Sequence, residues 1–182
     1  MQSDRILDAA GELFAAHGIA SVEMKDIARA AGCSRATLYR YFENRDALHT
    51  AYVHREARAV GARCSELIAT VSDPRERLLA AMLHSLRLVR ESPALSAWFT
   101  RTPMGAQAAE QSDVVQAMTA DFLMSLVPDD DRCRAERRAR WLVRVLTSLL
   151  TVPGRDTDDE RATLSEFVIP LVHSAEGQPV RG

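Results

Sequence analysis

The chain has little lysine, few aromatic residues and no long apolar run, and each scarcity removes a class of explanation. Lys25 is the one lysine in 182 residues, against 22 arginines. Aromatics make up 5%, and no stretch alternates apolar and polar side chains as a half-buried strand does, so a sheet fold has nothing to build on. No apolar run approaches the roughly 20 residues that cross a bilayer, which excludes a helical membrane span. The three cysteines, Cys33, Cys64 and Cys133, are far apart, with no CxxC pair and no secretory leader before them. A disulfide framework is thereby excluded, and a reducing cytoplasm is the expected setting. Nucleophile-elbow, phosphate-loop, dinucleotide-loop and HExxH strings are all missing; the nearest string, His54 to Arg58, lacks the second histidine. No enzyme, cofactor or metal site is expected. Net positive charge is also lacking: 23 basic against 25 acidic residues leave −2, so the whole molecule carries no cationic field to draw nucleic acid or an anionic membrane.

What is present is helical. Hydrophobic residues are 47% of the chain, 28 of them alanines, enough for a packed core of helices. Ile6, Leu7, Ala10, Leu13 and Phe14 keep helical spacing, with Ser3 or Asp4 placed to cap and Gly18 to stop the segment. Ser21 is placed to cap a short second helix carrying Ile27, Ala28 and Ala31, and Gly32 ends it ahead of a third segment, Arg35 to Tyr41. Asn44 opens a long helix running towards Asp73-Pro74, and another follows through Leu78, Leu79, Met82, Leu83, Leu86 and Val89. Later prolines delimit segments at about 93–102, 106–127, 130–152 and 158–175, with Pro170 placed to kink the last. The expectation is an all-α chain of about nine helices. It divides into units at 1–46 and 47–175 and a tail at 176–182.

Residues 22–48, VEMKDIARAAGCSRATLYRYFENRDAL, carry most of the information. Helix, glycine-containing turn and second helix is the geometry that lays one helix in the major groove while its predecessor crosses the backbone. The second helix has Arg35, Thr37, Tyr39, Arg40 and Tyr41 on or near its outer surface, with Ala36, Leu38 and Phe42 facing inward. Arginine forks onto guanine, threonine and tyrosine reach thymine methyls or phosphates, and Ser34 with the helix start offers donors to an anion. Charge read by segment agrees: residues 25–45 sum to +3, residues 1–24 to −3 and residues 46–182 to −2.

With those residues in view, positions 4–48 resemble the DNA-binding domain of the TetR family of bacterial transcriptional regulators. The resemblance implies that Lys25, Tyr39, Tyr41 and Arg45 grip the DNA backbone or groove edge, and that Arg35, Thr37 and Arg40 read bases. It also implies a homodimer joined by its last two helices and a ligand pocket between the middle ones. The match fades after about residue 55.

Met82, Leu86, Trp98, Phe99, Met118, Phe122 and Trp141 are the candidate lining of a site for a small apolar or amphipathic ligand, with His84, Gln116 and Thr147 the polar groups near it. Leu142, Leu146 and Leu149, with Leu164, Phe167, Val168, Leu171 and Val172, are the candidate faces of an isologous dimer contact. The arginine run Arg132, Arg134, Arg137, Arg138, Arg140 and Arg144 alternates with apolar residues and reads as a solvated or interface-flanking face. The functional expectation is a ligand-released repressor that binds a palindromic operator. The rival is a protein of the same fold that is constitutive or controlled by a partner protein. A cavity of several hundred Å³ separates the two, since the rival needs none.

Overall fold

The computed structural model describes residues 1–100, 104–127 and 131–170. Within them the chain is helical throughout, with no strand: α1 Gln2–His17, α2 Met24–Ala30, α3 Arg35–Tyr41, α4 Arg45–Leu67, α5 Pro74–Glu91, α6 Pro93–Thr100, α7 Met104–Gln111, α8 Asp113–Leu126, α9 Arg132–Thr151 and α10 Thr157–Thr163, the last running on through a π turn at Leu164–Val168. These are ten helices among the described residues where spacing predicts about nine. The extra one comes from a break in 106–127 that neither proline nor glycine marks: Ser112 accepts from the Val115 amide and so starts α8 afresh.

Caps account for most of the other boundaries. Ser34, Asn44, Asp73 and Asp131 each accept a first-turn amide of α3, α4, α5 and α9. Two expected caps are corrected. α1 begins without a side-chain cap, Asp4 instead pairing with the terminal amine at 3.1 Å. α2 is capped not by Ser21 but by Glu23, which forms a reciprocal capping box with Asp26, while the Ser21 hydroxyl bonds back to the His17 carbonyl. Gly18 and Gly32 are the described residues with positive φ, 78° and 61°, conformations that a side chain would strain. Ahead of Pro170, whose ring conflicts with an ordinary helical turn, the backbone widens to i→i−5 bonding, the Ile169 amide reaching the Leu164 carbonyl.

Two main apolar clusters organise the chain. The first gathers Ile6, Phe14, Ile27, Leu38 and Leu48, and reaches across to Leu95 and Trp98 of α6. The second joins α5, α8, α9 and the last helix through Leu78, Leu86, Leu123, Leu142 and Leu164. The first cluster therefore crosses the boundary drawn at 46: α4 and α6 are built into the head as well as the body. Arginines sew the head together. Arg55 of α4 ties to Asp8 of α1 at 2.7 Å, and Arg45 donates to the carbonyls of Ile19 and, at 3.3 Å, Ala20.

Candidate functional site

On α3 the inward face is short: Leu38 is fully buried, and Phe42, just past the helix, is 7% exposed. The rest of the helix is outside. Arg35, Ala36, Tyr39, Arg40 and Tyr41 are exposed and Thr37 is half-buried; the expectation that Ala36 faces inward is corrected. Arg35 and Arg40 form no ion pair among the described residues, so both guanidinium forks are available to bases or phosphates. The Arg40 guanidinium lies over the Tyr41 ring, 5.5 Å from its centroid, a cation–π contact that holds both at the outer edge of the helix. The Gly32 turn aims this helix: the Cys33 amide bonds to the Ala28 carbonyl across it, closing α2 where α3 must depart.

Around that helix the other candidates divide. Ser34 spends its oxygen on the Thr37 amide at 3.0 Å and stays exposed beside the Thr37 hydroxyl, at 2.9 Å. Lys25, also exposed, holds Glu23 at 2.8 Å, and that carboxylate raises its pKa. Arg45 is different. It is half-buried, and its Nη2 donates to both the Ile19 and the Ala20 carbonyl, a clamp that fixes the α1–α2 connection under the reading helix.

Between α4, α5, α6, α7, α8 and α9 lies a cavity of about 610 Å³. Met82, Leu86, Trp98, Phe99, Met118 and Phe122 all line it. Trp141 does not; it stands 38% exposed on the outer side of α9, and that assignment is corrected. Of the polar groups, Thr147 is at the wall, its hydroxyl 3.0 Å from both the Glu110 carboxylate and the Arg144 carbonyl, whereas His84 and Gln116 are not. Gly61 lets the Met118 methyl sit directly against α4 and narrows the space there.

Trp98 belongs to two places at once. It lines the cavity, and it packs on three rings of the head. It is stacked on Tyr52 at 5.8 Å, and edge-on to Phe14 at 5.7 Å and to His49 at 5.3 Å. His49 is 6% exposed with Nε2 unpaired. Burial, assisted by the positive charge of Arg45, lowers its pKa to about 4, so the ring is neutral at ordinary pH. Nothing in the sequence marked His49 or Tyr52 as part of a relay, because aromatics that meet across three helices have no common spacing.

The dimer candidates also divide. Leu142, Leu164 and Val168 are 2%, 0% and 2% exposed within their own protomer, so they face inward and are withdrawn as interface contacts. Leu146 lines the cavity and Leu149 is half-buried against the second cluster. Phe167 is 59% exposed, whereas Leu171 and Val172 lie outside the described residues. The face that α9 does turn outward carries Trp141, and past its end Val152, 71% exposed. Along the same helix Arg132 is paired with Asp121 at 2.6 Å and Glu136 at 3.0 Å, and Arg144 approaches Glu110, as a solvated face requires. One feature beyond spacing arguments is the fork of Arg90 on Glu160, 2.6 and 2.8 Å, with Glu160 only 3% exposed, which pins α10 to α5.

A helix-turn-helix with an exposed basic face, mounted on an all-helical body that carries a cavity, defines a DNA-binding transcriptional regulator. Residues 6–52 match the profile of the bacterial regulatory proteins, tetR family. An uncharacterized HTH-type transcriptional regulator of Mycobacterium tuberculosis is 56% identical over 177 residues, 96% of this chain and 87% of that protein. The HTH-type transcriptional repressor KstR of the same species is 27% identical over 153 residues, 80% of this chain and 70% of the repressor. In fold, the crystal structure of the TetR family repressor AlkX from a Dietzia strain aligns with TM-score 0.69 at 23% identity, covering 93% of this chain and 97% of AlkX. The chain belongs to the TetR family of bacterial transcriptional regulators, whose members bind DNA as dimers. No described helix is long and apolar enough to cross a membrane.

Proposed function

We propose that this regulator is a cytoplasmic, ligand-released repressor, a homodimer that sits on a palindromic operator with half-sites roughly 34–36 Å apart. The observation that carries the reading is the double membership of Trp98. A ligand entering the cavity meets a side chain already stacked against the DNA-binding head. Displacing α6 shifts the support under α1 and α4, and with it the spacing of the two reading helices. The rival reading, regulation without a small molecule, needs no cavity; one of about 610 Å³ favours the first.

On the DNA side, Arg35, Thr37 and Arg40 read bases, and Lys25, Ser34, Tyr39 and Tyr41 contact the backbone or groove edge. The dimer forms through the outer face of α9 and the exposed Phe167. A ligand moves the population only by its differential affinity for the two conformers, and reversal from 1:99 to 99:1 takes about 5.5 kcal/mol. Selection of bound duplexes from a random pool tests the reading: a palindrome is expected, and a pool without one overturns it. Addition of small apolar molecules to the selected complex must then release the DNA; a complex that none of a broad panel loosens overturns the ligand-released part.

A further inference from the structure

The polar atoms on the cavity wall are not evenly satisfied. Ser85, Thr119, Ser125 and Thr147 all have hydrogen-bond partners. Both acidic residues at the wall are held by arginines, Glu56 by Arg55 at 2.9 Å and Asp121 by Arg132 at 2.6 Å. Two wall residues are left with buried polar atoms that have no partner, and both atoms are donors: Arg77 Nε and Trp98 Nε1. Arg77 is half-buried and forms no ion pair among the described residues. A half-buried guanidinium with a sealed, unpaired Nε and no carboxylate beside it is costly, and an anion in the cavity would compensate its charge.

The shape limits what can bring that anion. Arg77 lies in the first turns of α5 and Val89 near its end, and both line the cavity. At 1.5 Å per residue the space follows α5 for about 18 Å, whereas a sphere of the same volume would be only about 10 Å across. Towards the far end the wall is Leu86, Val89, Leu95, Trp98 and Phe99, apolar apart from the indole N–H.

We infer that Arg77 anchors the anionic head, carboxylate or phosphate, of a chain-like amphiphile whose apolar tail extends along α5 towards Trp98. The inference rests on the ligand reading above and narrows it. Head and tail then have separate tasks: the head fixes the molecule at the end of the body away from the DNA-binding unit, and the tail reaches the ring stacked on Tyr52.

Displacement of N-phenylnaphthylamine, an uncharged apolar fluorophore, from the full-length protein tests this. Dodecanoate and dodecyl phosphate compete against dodecanol, which has the same chain and no charge. On the native protein at least one anion displaces the dye at a concentration about tenfold below that of the alcohol. Arg77→Gln abolishes that ratio while leaving dye affinity and the circular dichroism spectrum unchanged, and Arg77→Lys restores part of it. Equal displacement by acid, phosphate and alcohol overturns the anchor but leaves the cavity reading standing, as does a ratio that survives in Arg77→Gln. A native protein that binds no dye overturns both.

Discussion

Tyr52 and Trp98 form an offset, near-parallel stack, 5.8 Å between centroids and 14° between planes, and this contact joins the wall of the cavity to the helix that carries the DNA-binding head. Tyr52 in turn touches the place of Gly11 on α1, where an added Cβ would stand 3.1 Å from its ring. α6 is therefore in direct ring contact with α4, and through Tyr52 and Phe14 with α1.

Substituting Trp98 separates stability from coupling. Trp98→Ala empties a site that is 2% exposed and should cost about 3–5 kcal/mol in urea unfolding. Trp98→Phe retains most of the packing but not the indole's span. Its operator affinity without ligand should stay close to the native value, while the ligand concentration needed for release rises several-fold. Fluorescence anisotropy of labelled operator measures both, and unchanged release in Trp98→Phe would remove the ring from the relay.

His49 makes stability depend on pH in a particular direction. Its folded pKa of about 4 lies below the ordinary 6.5 because burial penalises the charged ring and Arg45 is close. Between those values the unfolded chain binds the proton and the folded one does not, so stability falls as pH drops from about 6.5 towards 4. Above that window the effect is nil; across it the loss reaches about 3 kcal/mol. Chemical denaturation at pH 7 and pH 5 should show this loss beginning. His49→Phe, which cannot titrate, should flatten that part of the profile.

The head was legible in the sequence because its signals are local. Gly32, Ser34 and the run from Lys25 to Arg45 specify a turn, a cap and a charged face within a few residues. Even there Arg45 has a second role that no local signal carries: the family resemblance implies a DNA contact, and the fold adds two backbone carbonyls bonded by its Nη2. The cavity lining was legible as a group because large apolar residues gather wherever helices converge. Trp141 failed because α9 is apolar on more than one side, and period alone does not say which side faces in. Leu142 was misassigned for the same reason, and Leu164 and Val168 of the last helix because spacing alone does not say whether an apolar face meets its own core or a second copy. The break at Ser112 is invisible to a periodicity argument, since α7 and α8 each continue a helical pattern.

Two variants of the DNA face should behave differently. Arg35→Ala removes an unpaired fork from the reading helix, so discrimination at one operator position should weaken by about 1–3 kcal/mol while other positions hold. Lys25→Ala should weaken binding to all duplexes alike and reduce the slope of log affinity against log salt by about one contact. Titrations of single-base operator variants at several salt concentrations distinguish the two patterns. A uniform loss in Arg35→Ala would assign that residue to phosphate instead.

Exposure on α9 and on the last helix decides which residues a partner protomer can touch. Trp141 at 38% and Phe167 at 59% are open in the single chain, whereas Leu142 at 2% is not. A charge on an open apolar residue costs the isolated protomer little but is unpaired and desolvated once a second copy covers it. Trp141→Glu and Phe167→Glu should therefore run as monomers in sedimentation, with native helicity and thermal transitions that no longer depend on protein concentration. Operator affinity should collapse with the dimer, since a single head keeps only one half-site's contacts. Leu142→Glu should behave otherwise: it buries a carboxylate in the second core and unfolds the chain at any concentration. Monomers from Leu142→Glu that keep the native circular dichroism spectrum would return that residue to the interface and take Trp141 out of it.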